Sequence, residues 1–170
     1  VRGAPGIDAS RILPFAVAEV GGQEVGIVGL TTTETPSISS PGATIRFGEP
    51  AASAQAAIDA LRARGVNKIV LLSHRGYEQD LQLARRLAGV DVIVSGHSHT
   101  LLGDFDRLGL RSWGPYPTVT TDRDGDRVLV VAAWESARVL GVLRVSFDGE
   151  GKVVAAEGRP RLVVGRRLFR

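Results

Sequence analysis

Two of the chain's three histidines, His97 and His99, stand one residue apart in DVIVSGHSHT, directly behind the apolar run VDVIVS (90–95). The third, His74, follows another apolar run, VNKIVLL (66–72), after a single Ser. Neutral imidazoles are nitrogen ligands for zinc and similar divalent ions. Two of them spaced by two in an extended segment point to one side of the backbone, because side chains alternate with period two. Three gathered at one place would hold an ion, whereas a lone imidazole at a strand end is ordinarily a hydrogen-bonded structural group. Gly96, just before His97, lets the chain turn there without a Cβ in the way.

The choice depends on whether the two apolar runs lie side by side. Both are short and β-branched, as buried strands are. Between them YEQDLQLARRLAG sets Leu81, Ala84 and Leu87 at helical spacing and stops at Gly89. Strand, helix and strand within about thirty residues make a right-handed crossover with parallel strands. Their C-terminal ends then share one edge, the edge where open α/β sheets bind ligands. The pattern therefore predicts His74, His97 and His99 at one sheet edge as ligands of a metal site.

The remaining elements frame this unit. LPFAVAEV and QEVGIVGL flank Gly21-Gly22 and predict a hairpin. Residues 31–48, rich in Thr, Ser, Pro and Gly, read as a long loop, and Pro50 opens a helix that runs to Gly65. From 116 on the texture is β-like: YPTVTT, RVLVVAAW and LGVLRVSFD are separated by the turn signals DRDGDR and DGEGK, and KVVAAEGRPRLVV adds a strand or two. One α/β domain is expected, an α+β sandwich of mixed sheets flanked by helices, with a βαβ unit over 66–100 and a β-rich part over 116–165.

Composition narrows the function. Cys is absent, which removes disulfides, thiolate metal sites and Cys nucleophiles. No apolar run is long enough to span a membrane as a helix. The net charge of +3 resides in the last twelve residues, whose five Arg, once removed, leave 16 basic against 18 acidic groups. With 5% aromatics and no spread basic face, a nucleic-acid polymer is not the expected partner. The chain has no Met and begins at Val1, so it reads as processed or as part of something longer; no signal peptide is visible in VRGAPGIDAS.

The blocks VLLSHRGYEQDLQLA and GVDVIVSGHSHT resemble the last two metal-binding blocks of the calcineurin-like metallophosphoesterases, specifically the 5′-nucleotidase family. The similarity extends over roughly residues 12–165, through VGGQEVGIVGLTTTETP, YPTVTTDRDGDRVLVVAAW and LGVLRVSFDGEG. The resemblance implies part of a four-layer sandwich and two divalent ions, Zn, Mn or similar. It implies hydrolysis of a phosphate ester, typically a nucleotide, by a metal-activated water. By position His74 and His97 would bind one ion and His99 the other. No D-x-H, no GD-x-x-x followed by N-H and no Asn-His pair of that pattern occurs here, and the only Asn, Asn67, is followed by Lys68. The catalytic His of the family therefore has no counterpart on this chain, and neither does the family's C-terminal nucleotide-binding domain. The chain alone is expected to hold one ion weakly, to hydrolyse little, and to leave a sheet edge unpaired for want of the N-terminal half. A periplasmic, cell-surface or secreted location is implied by the resemblance alone.

Other residues carry simpler expectations. Asp80, in the first turn of its helix, suits the helix dipole, with a supporting role behind His74 as the alternative. Asp104 and Asp106 read as loop acids, and Trp113 and Trp134 as packing residues. DRDGDR has only the Gly of a calcium loop, so turn chemistry explains it better. No nucleophile elbow surrounds Ser73 or Ser98. Two other readings remain beside the nucleotidase: a non-catalytic metal- or ligand-binding module that keeps the fold, and a related phosphatase for a different ester.

Overall fold

Residues 12–163 are described by a computed structural model. VRGAPGIDAS and the basic tail from 164 on lie outside the described residues. The Gly-Gly hairpin is present: β1 (Ala16–Val20) pairs antiparallel with β2 (Gln23–Thr31), and Gly21 and Gly22 take φ of 58° and 75°. The long loop after β2 contains one short helix, α1 (Thr35–Ile38). Then follow α2 (Pro50–Arg62), β3 (Ile69–His74), α3 (Tyr77–Ala84) and β4 (Val92–Ser95). The β-rich part supplies β5 (Thr118–Thr121), β6 (Arg127–Val131), β7 (Val139–Phe147) and β8 (Val153–Leu162).

Six strands form one sheet in the order β1-β2-β3-β4-β6-β5, and β7 and β8 form a second, two-stranded sheet. The four inner strands are parallel, and the edge strands β1 and β5 run antiparallel to their neighbours. Two helices cover one face. Ile58 and Leu61 of α2 and Leu83 of α3 bury against Ile69, Leu71, Ile93, Val128 and Val130. Gly26 makes this contact possible, since a Cβ there would lie 2.6 Å from Leu61 Cδ1. The opposite face meets the β7–β8 hairpin through Val92, Leu129 and Val153, with Leu143, Val145 and Phe147 around them. Helices, a mixed sheet and a second sheet are the layers expected of the α/β sandwich.

The second sheet covers the first only partly. A cavity of about 320 Å³ opens between them beside Val70, Val94 and Tyr116, and Leu72 and Val94 remain 47% and 40% exposed. Polar contacts hold the hairpin at the N-terminal edge of the large sheet. Asn67 Nδ2 donates to the Glu150 carbonyl in the DGEGK turn, and Lys152 pairs with Asp126. In DRDGDR, Asp122 Oδ1 accepts from the backbone N–H groups of Asp124 and Asp126, both at 2.9 Å, and Oδ2 accepts from Gly89 N at 2.7 Å. Asp122 thus ties the β5–β6 turn to the loop that leads into β4, which is the work of a turn residue.

Candidate metal centre

Parallel pairing brings three strand ends to one edge. Thr31 of β2 is level with His74, and Ser73 with Ser95 of β4. Alternation along β3 puts His74 on the face of Val70 and Leu72, toward the second sheet, and Ser73 on the helix face. Beyond Ser95 the Gly96 N–H donates to the Ser73 carbonyl at 2.8 Å, which continues the pairing by one step and delivers His97 beside His74. The two rings meet edge to face, with centres 5.1 Å apart and planes at 62°.

Gly96 is needed for that approach. A Cβ at this position would stand 3.0 Å from His74 Nδ1 and 3.4 Å from the Ser73 carbonyl. A sharp turn is not the reason, because Gly96 is not among the residues with positive φ. Gly96→Ala is expected to push the His74 ring away and weaken divalent-metal binding about tenfold, the low end of what supporting positions contribute. A titration that gives the wild-type affinity would show the ring yields freely.

His99 does not join the pair. The expectation that His97 and His99 share a side required an extended segment, and the structure corrects it: their φ values are 74° and 50°, both left-handed. Two such residues break the period of two and send the rings apart. His97 Nε2 lies 3.0 Å from Glu34 Oε2, and His99 Nδ1 lies 3.2 Å from Glu135 Oε2. Among the described residues no three His, Cys, Asp or Glu side chains gather as a metal-holding group. The single pocket of three imidazoles is therefore absent, and the arrangement is two plus one.

The pair itself suits a metal. Two imidazoles on one tetrahedral ion, with nitrogen distances of about 2.0–2.1 Å, set their ring centres roughly 5 Å apart, and the His74 and His97 rings have that separation. The donor set is neutral nitrogen, so further ligands and negative charge must come from other residues.

Asp80 is hydrogen-bonded to Ser73 rather than to His74. It is fully buried on the helix face, where Ser73 Oγ donates to its Oδ1 at 2.6 Å. Burial pushes its carboxyl up from the usual range, against the Ser73 and Ser95 hydroxyls, which favour the ionised form. Its Oδ2 and the Ser95 Oγ are nevertheless both buried without a partner at bonding geometry. Asp80 thus braces β3 from behind rather than orienting the ring in front. Asp104 Oδ1 accepts from Asp106 N at 3.2 Å, loop chemistry as expected. Trp134 packs beside Leu101, Phe105 and Val139, but Trp113 is 71% exposed and is not a packing residue. Ser98 Oγ accepts from Tyr77 N at 3.0 Å and is 2.8 Å from Thr100 Oγ1, so it fastens the loop to the start of α3.

Glu34 and Glu135 are the residues at this edge that sequence reading passes over. Glu34 lies in TTTETP and Glu135 in AWESAR, far from the histidines in sequence. The only advance sign is that both follow strands of the same parallel set.

The layers and the edge that carries the histidine pair define the fold of the calcineurin-like phosphoesterases; one such protein, YfkN from Bacillus subtilis, superposes with a TM-score of 0.68 at 22% identity over 89% of this chain and 51% of that one, a likeness of fold alone. Within that fold the chain is similar in sequence to 5′-nucleotidases. It is 42% identical to the 5′-nucleotidase of Rattus norvegicus over 153 residues, 89% of this chain and 26% of the rat protein. The 5′-nucleotidase precursor of Thermus thermophilus matches with a TM-score of 0.85 and 56% identity, over 88% of this chain and 29% of that one. The NAD nucleotidase of Haemophilus influenzae gives 0.84 and 35% over 88% and 30%. No family model matches. The chain spans about a quarter of the length of the curated relatives it matches.

Proposed function

We propose that this chain is the later part of the catalytic domain of a metal-dependent nucleotidase, which releases phosphate from a nucleotide. The observation that carries the reading is the edge-to-face pair of His74 and His97 at the C-terminal sheet edge, at a ring separation suited to one divalent ion. The identity to named 5′-nucleotidases over most of the chain supports the substrate class. His74 and His97 would hold one ion and His99 would belong to a second. Such ions, when bound, would supply an activated water and offset charge on the phosphoryl oxygens. The chain's own part is to present neutral nitrogen at fixed positions. The remaining ligands and the family's catalytic His would come from residues outside this sequence. The Thermus relative is named a precursor, which supports a place outside the cytoplasm.

The test is phosphate release from a nucleoside monophosphate by the full-length protein with Mn²⁺, Zn²⁺ or Co²⁺. Metal-dependent release that a chelator abolishes is the expected result. A protein that takes up metal yet leaves every nucleotide intact would instead favour a non-catalytic metal-binding module. That second reading draws on the absence, among the described residues, of a complete ligand group.

A further inference from the structure

Five non-glycine residues among those described have positive φ, and all five lie in two loops at the histidine edge: His97 and His99 in one, Trp134, Ser136 and Ala137 in the other. Left-handed backbone costs such residues about 1–2 kcal/mol each, and strain of this kind collects where function fixes a geometry. Here it shapes the loop that carries His97 and His99 and the loop beside it. The second loop carries Glu135 between its strained residues, and the two loops are fastened together by Trp134 N donating to the Thr100 carbonyl at 3.0 Å and by the Leu101–Ala133 bridge. Arg138 Nη1 donates to Glu135 Oε1 at 2.9 Å, and Glu135 Oε2 lies 3.2 Å from His99 Nδ1 without the geometry of a hydrogen bond.

On the other flank, the loop after β2 brings Glu34. Its backbone N–H donates to the hydroxyl of buried Thr32 at 3.2 Å, and its carbonyl accepts from Ser37 N at 2.8 Å. Its carboxylate reaches His97 Nε2 at 3.0 Å. The histidine loop thus has Glu34, from the loop after β2, bonded to His97 on one side and Glu135, from the loop after β6, near His99 on the other.

We propose that Glu34 is a positioning residue that fixes the tautomer and ring orientation of His97 in the metal loop. This rests on the reading of His97 as a ligand. An ionised carboxylate only accepts hydrogen bonds, so the nitrogen facing it carries the proton and the other keeps its lone pair. His97, held at Nε2, would offer Nδ1 to a metal. Carboxylate partners of metal-binding histidines typically contribute 10–100-fold in metal affinity.

Long-range ¹H–¹⁵N NMR of the full-length, metal-free protein at alkaline pH reads the tautomers directly. The expected result is the Nε2–H form for His97. Glu34→Ala should loosen that preference, raise the Co²⁺ dissociation constant about 10–100-fold, and alter the visible Co²⁺ spectrum. Glu34→Gln should recover part of the effect, since the amide oxygen still accepts. Melting should hardly change for either variant, because the Glu34 side chain is 58% exposed. A wild-type tautomer and Co²⁺ affinity in Glu34→Ala would overturn the proposal and leave the nucleotidase reading intact. A wild-type protein that binds no divalent ion would end both.

Discussion

Replacing His97 by Ala in the full-length protein is expected to lower phosphate release about a thousandfold, the several kcal/mol a metal contributes expressed as rate, and to lower the bound metal. His97 is the hinge of the edge. On the proposed reading it would share an ion with His74, whose ring centre is 5.1 Å away, and it is the partner of Glu34. Losing it would take one of the two imidazoles from that ion and leave the Glu34 carboxylate without its partner. The fold should lose little, because the side chain is 26% exposed and Glu34 is 58% exposed. The backbone adds a second readout. Position 97 has φ of 74°, which Ala dislikes by about 1–2 kcal/mol relative to an unstrained conformation and Gly does not. His97→Gly should therefore match His97→Ala in lost activity while escaping part of that strain. Phosphate release and metal content at wild-type levels in both variants would remove His97 from the site.

The pieces of this edge that sequence can reveal are those governed by local pattern. VNKIVLL and VDVIVS are apolar enough to require burial, the helix between them requires a crossover, and the crossover makes the strands parallel; His74 and His97 follow as neighbours. The Gly-Gly hairpin and the Asp-Gly turns are equally local. Boundaries differ where tertiary contacts intervene. VNKIVLL begins at Val66, but β3 begins at Ile69, because Asn67 is occupied with the Glu150 carbonyl and Lys68 lies over the Phe147 ring. The helix expected to run to Gly89 ends at Ala84, and Arg86 and Leu87 close onto Leu83 and Ala84 in tighter turns. His99 departs from expectation for a different reason. Left-handed φ at a non-glycine residue leaves no mark in composition or periodicity, so GHSHT looks extended on paper. Glu34 and Glu135 are invisible because their meaning is wholly spatial: the first lies 63 residues from its histidine. What the chain states locally is where the imidazoles emerge; what it withholds is how they are turned.

Asp91→Asn should flatten the pH dependence of stability between about pH 4 and 7 and leave the protein more stable at pH 8, with the metal site untouched. Asp91 sits at the opposite, N-terminal edge of the sheet, just before β4, and is bonded to β3 and β6. Its Oδ2 accepts from Ile69 N at 2.7 Å, its own N–H donates to the Ile69 carbonyl, and its carbonyl accepts from Leu129 N. It is 7% exposed, and burial pushes its carboxyl up to about 7. The Asp122 and Asp126 carboxylates push the same way, while the Ile69 N–H and the Lys152 ammonium oppose them. In the unfolded chain Asp releases its proton near the ordinary value of about 3.9. Between those values the folded state holds a proton that the unfolded state has lost, so this group's contribution is full below about pH 4 and falls as pH rises toward 7. At about 1.4 kcal/mol for each pH unit between the two values, the loss amounts to at most about 4 kcal/mol. Asn keeps an oxygen for Ile69 N and carries no charge to desolvate, so the slope disappears and the penalty above pH 7 goes with it. Chemical denaturation of wild type and variant across that range reads the effect. Parallel stability curves for the two would mean that Asp91 is ionised at neutral pH and that Lys152, already paired with Asp126, compensates it in place.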